Sequence, residues 1–200
     1  MNKSRGRRPG RPQTRERILD AAREAFLASG YERTSLRRIA AAAEVDVALL
    51  SYHFGSKQGL FAAAMTLPIR PGDEIEKALG APVEQWPERI LRTVLRVWDH
   101  PQAGPAAVHT LLAAAADPVA RRALDEFLER ELLARIERHL AGRDARQRAM
   151  GLLVPTAGLL TTRYLLRVPA YAEASHDELV RIVAPSLAIH LRGARAASPD

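Results

Sequence analysis

No stretch of the chain alternates apolar and polar residues with period two; the apolar positions recur at three and four residues, the spacing of one helix face. Ile18, Ala22 and Phe26 form an i, i+4, i+8 stripe with Gly30 at its C-terminal stop, which predicts a helix over residues 14–29. Thr34 and Ser35 form a capping pair for a short helix reaching Ala43. Glu44, Val45 and Asp46 make a turn into a third short helix that ends near Phe54. Ser56 caps a fourth, expected to stop before Pro68 and Pro71. Proline, glycine and polar clusters then divide the chain into five more helices, over 83–99, 106–115, 118–140, 144–168 and 176–191. Ser175 with Glu178 makes a capping box for the last of these, and Pro155 and Pro185 are expected to kink the two helices that contain them. The expectation is an all-α protein of about nine helices.

Charge changes this picture at one end. Residues 1–60 hold 12 Lys/Arg against 6 Asp/Glu, whereas the rest of the chain holds 18 against 17, so nearly all of the net +7 lies in the first third. A generally solvated surface would not segregate charge in this way; a polyanionic partner for the N-terminal segment accounts for it. Cysteine is absent, which excludes disulfides and thiolate chemistry. The basic N-terminus lacks the apolar stretch of a signal peptide, and the apolar run near Met150–Leu160 is interrupted by Pro155 and too short for a membrane span. A soluble, cytoplasmic protein is expected.

The segment from Ser35 to Phe54 fits a helix-turn-helix. Two helices crossing steeply need a small residue at the crossing, and Ala40 supplies it. Ile39, Ala43, Val45 and Leu50 fall at spacings that share an inner face, with Leu50 and Phe54 assigned to the core. The outer face of the second helix is then free to enter a major groove.

Thr34-Ser-Leu-Arg-Arg-Ile-Ala, followed by a turn and Leu50-Ser-Tyr-His-Phe-Gly-Ser-Lys-Gln-Gly-Leu-Phe61, resembles the N-terminal signature of the TetR/AcrR family of bacterial transcriptional regulators, over about residues 14–62. The resemblance implies a homodimer in which three N-terminal helices bind an operator in double-stranded DNA and the remaining helices hold a small-molecule effector and the dimer interface. It places Val47, Ala48, Ser51 and Tyr52 at recognition positions, Arg37 where a base can be reached from the second helix, and Thr34, Tyr52, His53 and Lys57 at phosphate-contacting positions. Lys57 also stands at a helix N-terminus, where dipole and charge both favour a phosphate. His53 has an alternative as a residue packed on the fourth helix. The chain departs from the family pattern at Glu44, where glycine is usual, and at Asp46, which can cap the recognition helix but brings a negative charge near DNA.

Residues 1–13 read as a disordered basic arm, 14–55 as the DNA-binding unit, 56–192 as the ligand-binding and dimerisation unit, and 193–200 as a disordered tail. In the arm, Gly10-Arg11-Pro12 resembles an AT-hook core, with Arg11 entering a narrow minor groove; a non-specific basic tail is the alternative. Phosphate loops, nucleophile elbows and metal-ligand spacings are missing from the sequence, so no enzyme activity, metal or cofactor is expected. Ser175-His176-Asp177 cannot converge as a triad, because adjacent residues at a helix start point apart. Trp86, Trp98, His109, Thr161, Thr162 and Tyr164 combine apolar bulk with polar tips and are the candidate effector-binding residues, each with core packing as its alternative. The sparse charge on the inner faces suggests an apolar or aromatic effector. Leu152, Leu159 and Leu160 on one helix, with Leu179, Ile182, Val183 and Ile189 on another, are the candidate dimer interface. A DNA-binding protein without an inducer, whose core would hold no cavity, is the competing function; an enzyme with an accessory DNA-binding domain is a third.

Overall fold

The computed structural model describes residues 11–65, 67 and 70–192, which fold into helices joined by turns with no strand among them. The first helix, α1 (Arg11–Arg33), begins within the expected arm. Arg11 and Pro12 open it, contrary to the extended arrangement expected for an AT-hook; proline is well tolerated in a first turn, where its missing N–H has no partner to lose. The rest of the arm and the expected C-terminal tail lie outside the described residues. Gly30 breaks α1 with φ of 79°, and a Cβ there would stand 2.3 Å from the Glu126 carboxylate. Glycine is thus favoured for the positive φ, while the Glu126 carboxylate would have to shift to admit a side chain.

Three short helices follow: α2 (Leu36–Ala42), α3 (Val47–Phe54) and α4 (Lys57–Ala64). The next, α5 (Pro71–Leu79), was not expected from the sequence. Pro71 reads as a stop signal, but it occupies the first turn of a new helix, the other position that proline favours. Beyond it lie α6 (Trp86–Trp98), α7 (Ala103–Ala116) and α8 (Pro118–Leu128), the last passing through a π segment, Glu129–Leu133, into α9 (Ala134–Arg138). The long C-terminal helices are α10 (Ala145–Leu160) and α12 (His176–Ala188), separated by a π segment, Thr161–Leu165, and the one-turn α11 (Pro169–Ala172). Pro155 and Pro185 lie inside α10 and α12. None of these helices is long and apolar enough to cross a membrane.

Two cores organise these helices. One joins α1–α4 to α7 and α8 around Phe26, Phe61 and Phe127, all without solvent exposure. Phe127 stacks on Phe61 at 4.3 Å between ring centroids, and Tyr31 meets both rings edge-on at 5.1 Å. The N-terminal unit therefore shares its core with α8 and does not enclose one of its own. The second core packs α5, α6, α9, α10 and α12 around Trp86, Ile90, Leu95, Ile136, Leu152 and Leu187.

The turn between α2 and α3 keeps the glycine-type backbone even though glutamate stands at its centre. Val45 N donates to Ala40 O at 3.0 Å, Glu44 N donates to Ala41 O at 3.2 Å, and Glu44 has φ of 51°. This is a Schellman cap with glutamate in the left-handed position that glycine normally fills. Its carboxylate meets Arg17 at 3.7 Å but is 87% exposed, so the pair offsets little of the strain. Glu44→Gly removes about 1 kcal/mol of left-handed strain and adds a similar unfolded-state entropy. The variant is expected to melt within about 4 °C of the parent. A larger fall in a thermal scan would show that the glutamate side chain stabilises the turn.

Candidate nucleic-acid interface and ligand cleft

Side-chain caps orient the two helices of the motif. Ser35 Oγ accepts from Arg38 N at 3.2 Å to start α2, and Asp46 Oδ1 accepts from Ala48 N at 2.6 Å to start α3. The Asp46 charge is thereby directed at the α3 amides, where the helix dipole favours it. Ile39, Ala40, Ala43, Leu50 and Phe54 are buried beneath the motif and Val45 is half-buried, as their spacing requires. This leaves Arg37, Ala48, Ser51 and Tyr52 exposed, with Val47 half-buried at the edge. Tyr52 is 71% exposed, although a tyrosine ring normally finds cover. His53 is half-buried, with its ring edge-on to Tyr52 at 5.2 Å and tilted against Phe54 at 6.0 Å, so it sits between the outer face and the packed one.

Two residues placed at phosphate-contacting positions are committed within the subunit. Thr34 is 2% exposed, and its Oγ1 donates to Gly30 O at 2.8 Å and lies 3.0 Å from Ala25 O. It locks the end of α1 and presents no hydroxyl to solvent. Lys57 Nζ donates to Glu32 O at 3.1 Å and sits 4.5 Å above the Tyr31 ring. Burial lowers its pKa below the ordinary lysine value, with the nearby Glu32 charge acting in the opposite direction. The Ser56 cap, accepting from Gly59 N at 3.1 Å, turns Lys57 inward toward α1. On the solvent side, the structure adds cations that sequence spacing did not single out. Arg38 is exposed and donates to Ser29 Oγ at 3.0 Å, and Arg15 lies 5.7 Å from the Phe54 ring centroid.

Beneath the motif, a polar contact joins α1 to the rest of the subunit. Tyr31 Oη donates to Glu131 Oε1 at 2.8 Å, and Arg135 Nη2 donates to Glu131 Oε2 at 2.6 Å. Burial, and then the hydrogen bond to the Glu131 carboxylate, push the Tyr31 phenol well above its ordinary pKa, so it remains a donor. Glu131 lies on the π segment between α8 and α9.

An open cleft of about 660 Å3 lies between the end of α6, α7 and the π segment after α10. Of the candidate effector-binding residues, Trp98, His109 and Tyr164 line it. The other three candidates do not. Trp86 is 1% exposed in the second core, with Nε1 donating to Ala81 O at 2.8 Å. Thr162 Oγ1 donates to Gly158 O at 2.9 Å, a backbone contact within its own helix, and Thr161 is exposed outside the lining. The sequence reading missed the cleft's charged members, Asp99, Arg163 and Arg167. Asp99 accepts from Tyr164 Oη at 2.8 Å, Arg163 Nη2 at 3.3 Å and His176 Nε2. Burial pushes the Asp99 pKa up, but these donors outweigh it and hold the carboxyl below its usual value. His176 thus faces Asp99, while Ser175 Oγ caps α12 by accepting from Glu178 N at 3.2 Å.

The candidate interface residues separate into two sets. Leu152, Leu159 and Leu179 are buried in the second core, so they are not available to a partner subunit. Ile182 and Ile189 are exposed, while Leu160 and Val183 are half-buried. On α10 the outward apolar positions are Met150 and Val154, which the spacing argument passed over. The α10 helix is apolar on two sides, and its stripe of leucines turned out to be the inner one.

Comparison with known proteins agrees with this architecture. The family model for bacterial regulatory proteins of the tetR family matches residues 18–64, and that for the tetracyclin repressor-like C-terminal domain matches residues 84–191. A TetR-family regulator from Streptomyces coelicolor A3 is 33% identical, the match covering 94% of this chain and 99% of that one with a TM-score of 0.56. A second protein from Streptomyces coelicolor A3(2), assigned to transcriptional regulation, is 26% identical over 88% of this chain and 99% of its own, with a TM-score of 0.48. No curated protein matches. With both of its halves matched and a relative at one-third identity along nearly its whole length, the chain belongs to the TetR family of DNA-binding transcriptional regulators.

Proposed function

We propose that the protein is a homodimeric repressor that holds a near-palindromic operator with Arg37, Val47, Ala48, Ser51 and Tyr52 and releases it when a small molecule enters the cleft at Trp98 and Tyr164. The observation that carries this reading is the exposed face of α2 and α3, where an arginine, a serine and a tyrosine stand together over a fully packed inner face. Arg37 suits bidentate contact to guanine, Ser51 and Tyr52 offer short-reach hydrogen bonds, and Val47 and Ala48 suit a thymine methyl. Exposed Met150 and Val154 on α10, Ile182 on α12 and Ile189 in the turn that follows it support a four-helix bundle with a second copy. A two-fold axis through such a bundle would set the recognition helices about 34–36 Å apart, one turn of B-DNA. The cleft favours an effector-controlled regulator over a DNA-binding protein without an inducer, since about 660 Å3 is in the range of small-molecule sites.

Operator binding titrated against salt tests the reading. Log affinity is expected to fall linearly with log salt, with a slope of roughly −5 to −10 per dimer. Arg37→Ala is expected to relax discrimination at one base pair in each half-site by about 1–3 kcal/mol. A flat salt response would exclude DNA as the partner, and equal losses on every sequence would remove Arg37 from base readout.

A further inference from the structure

We infer that the effector carries a carboxylate, or an equivalent anion, on an aromatic or apolar body, and that Arg167 recognises the charge. This inference rests on the reading of the cleft as the effector site and names the chemical class that the site accepts. Asp99, the lining's one carboxylate, already receives three donors. Arg163 is committed as well, to Asp99 and to the carbonyls of Tyr171 and Ala174. His100 Nδ1 accepts from Gln102 N and Ala103 N at 3.3 Å, which places the proton of the neutral ring on Nε2. Among the described residues, the lining side chains left with free hydrogen-bonding capacity therefore include Arg167, His109, His100 Nε2 and the indole N–H of Trp98. These supply an uncompensated positive charge and donors, with no free carboxylate to receive a cationic ligand. The remaining surface is contributed by Trp98, Tyr164, Val108, Leu112 and Leu165, suited to an apolar or flat body.

The backbone of Arg167 adds an independent observation. Its φ is 52°, and Val168 N donates to Thr162 O at 3.0 Å, so Arg167 holds the left-handed position that closes the π segment. Glycine or asparagine fills such a position without strain. A cation near a helix C-terminus is favoured by the dipole, but any unstrained position in the last turn would provide that benefit. The arginine is thus held at a strained backbone position beside a cleft whose other full charges are paired. Strained positions of this kind cluster at ligand-binding sites, although Glu44 shows that a turn can also hold one.

Calorimetry on the full-length protein with two probe pairs, 2-naphthoate against 2-naphthamide and octanoate against octanamide, tests the inference. The carboxylate of the preferred pair is expected to bind at least about tenfold more tightly than its amide, as for a hydrogen bond to a charged group. Arg167→Asn, which suits the left-handed backbone, is expected to bring the pair within about twofold while leaving amide affinity unchanged and the melting temperature no lower. An amide that binds as well as its carboxylate, or a preference that survives in Arg167→Asn, overturns the inference. Operator affinity measured with the same probes keeps the two readings apart. Release by acid and amide alike sustains the effector site and rejects the anion preference; a preference without release does the reverse. If none of the four probes binds, both are rejected.

Discussion

A chain carrying Ile182→Asp and Ile189→Asp is expected to sediment as a monomer with unchanged helical content and no specific operator binding. The two isoleucines are 59% and 56% exposed on the outer side of the C-terminal helices, so the subunit's own core does not depend on them. In a two-fold bundle each substitution appears twice, which buries four carboxylates without partners, and the effective desolvation penalty is several kcal/mol per ion. Dimerisation is therefore expected to weaken by more than about a thousandfold. Specific binding fails with it, because a lone recognition helix forgoes the second half-site and the spacing imposed by the two-fold axis. The weak, salt-sensitive attraction to any duplex should persist, since the exposed Arg37 and Arg38 are untouched. Sedimentation velocity decides the matter: a variant that remains dimeric places the interface on another face.

Truncation at Phe127 is expected to have the largest effect on stability. Phe127 has no solvent exposure, stacks on Phe61 and meets Tyr31 edge-on, so its ring joins α8 to both α1 and α4. Phe127→Ala leaves a cavity between elements that have no other shared core, at an expected cost of about 3–5 kcal/mol. For a chain of this length that corresponds to about 10 °C or more in melting temperature. The DNA-binding helices are packed on this cluster, so operator affinity is expected to fall at temperatures where the variant is still largely helical. A loss below about 1 kcal/mol by thermal or denaturant unfolding would show that the α1–α8 contact is not what anchors the helix-turn-helix. Tyr31→Phe serves as a milder companion. It keeps the ring but leaves the Glu131 carboxylate with Arg135 alone, so its effect isolates the buried hydrogen bond from the packing.

The features that the sequence determined by itself are local ones. Ser35, Asp46 and Ser175 cap their helices because a cap needs only a short oxygen side chain and the amides two or three residues on. The Glu44 turn is likewise closed by neighbours in sequence, through hydrogen bonds to the carbonyls of Ala40 and Ala41. The inner and outer faces of the helix-turn-helix follow in the same way from spacing within about twenty residues. Local signals also mislead: Pro71 reads as a stop, yet it starts α5, since proline favours both positions.

Tertiary structure decided what depends on distant partners. Whether Thr34 offers its hydroxyl to solvent was settled by the carbonyls at the end of α1, and Lys57 was drawn onto the Tyr31 ring of the same helix. The cleft assembles Asp99 with Tyr164 and His176, groups 65 and 77 positions away along the chain, a separation at which no spacing rule operates. The two faces of α10 show the principle most directly. On α10, Ala149, Leu152 and Leu159 recur at helical spacing, and so do Met150 and Val154 on the opposite side. Periodicity reveals that an apolar stripe exists, but a helix with two such stripes is symmetric to that test. Packing against α9 and α12 is what turns one stripe into the subunit's core and leaves the other facing outward.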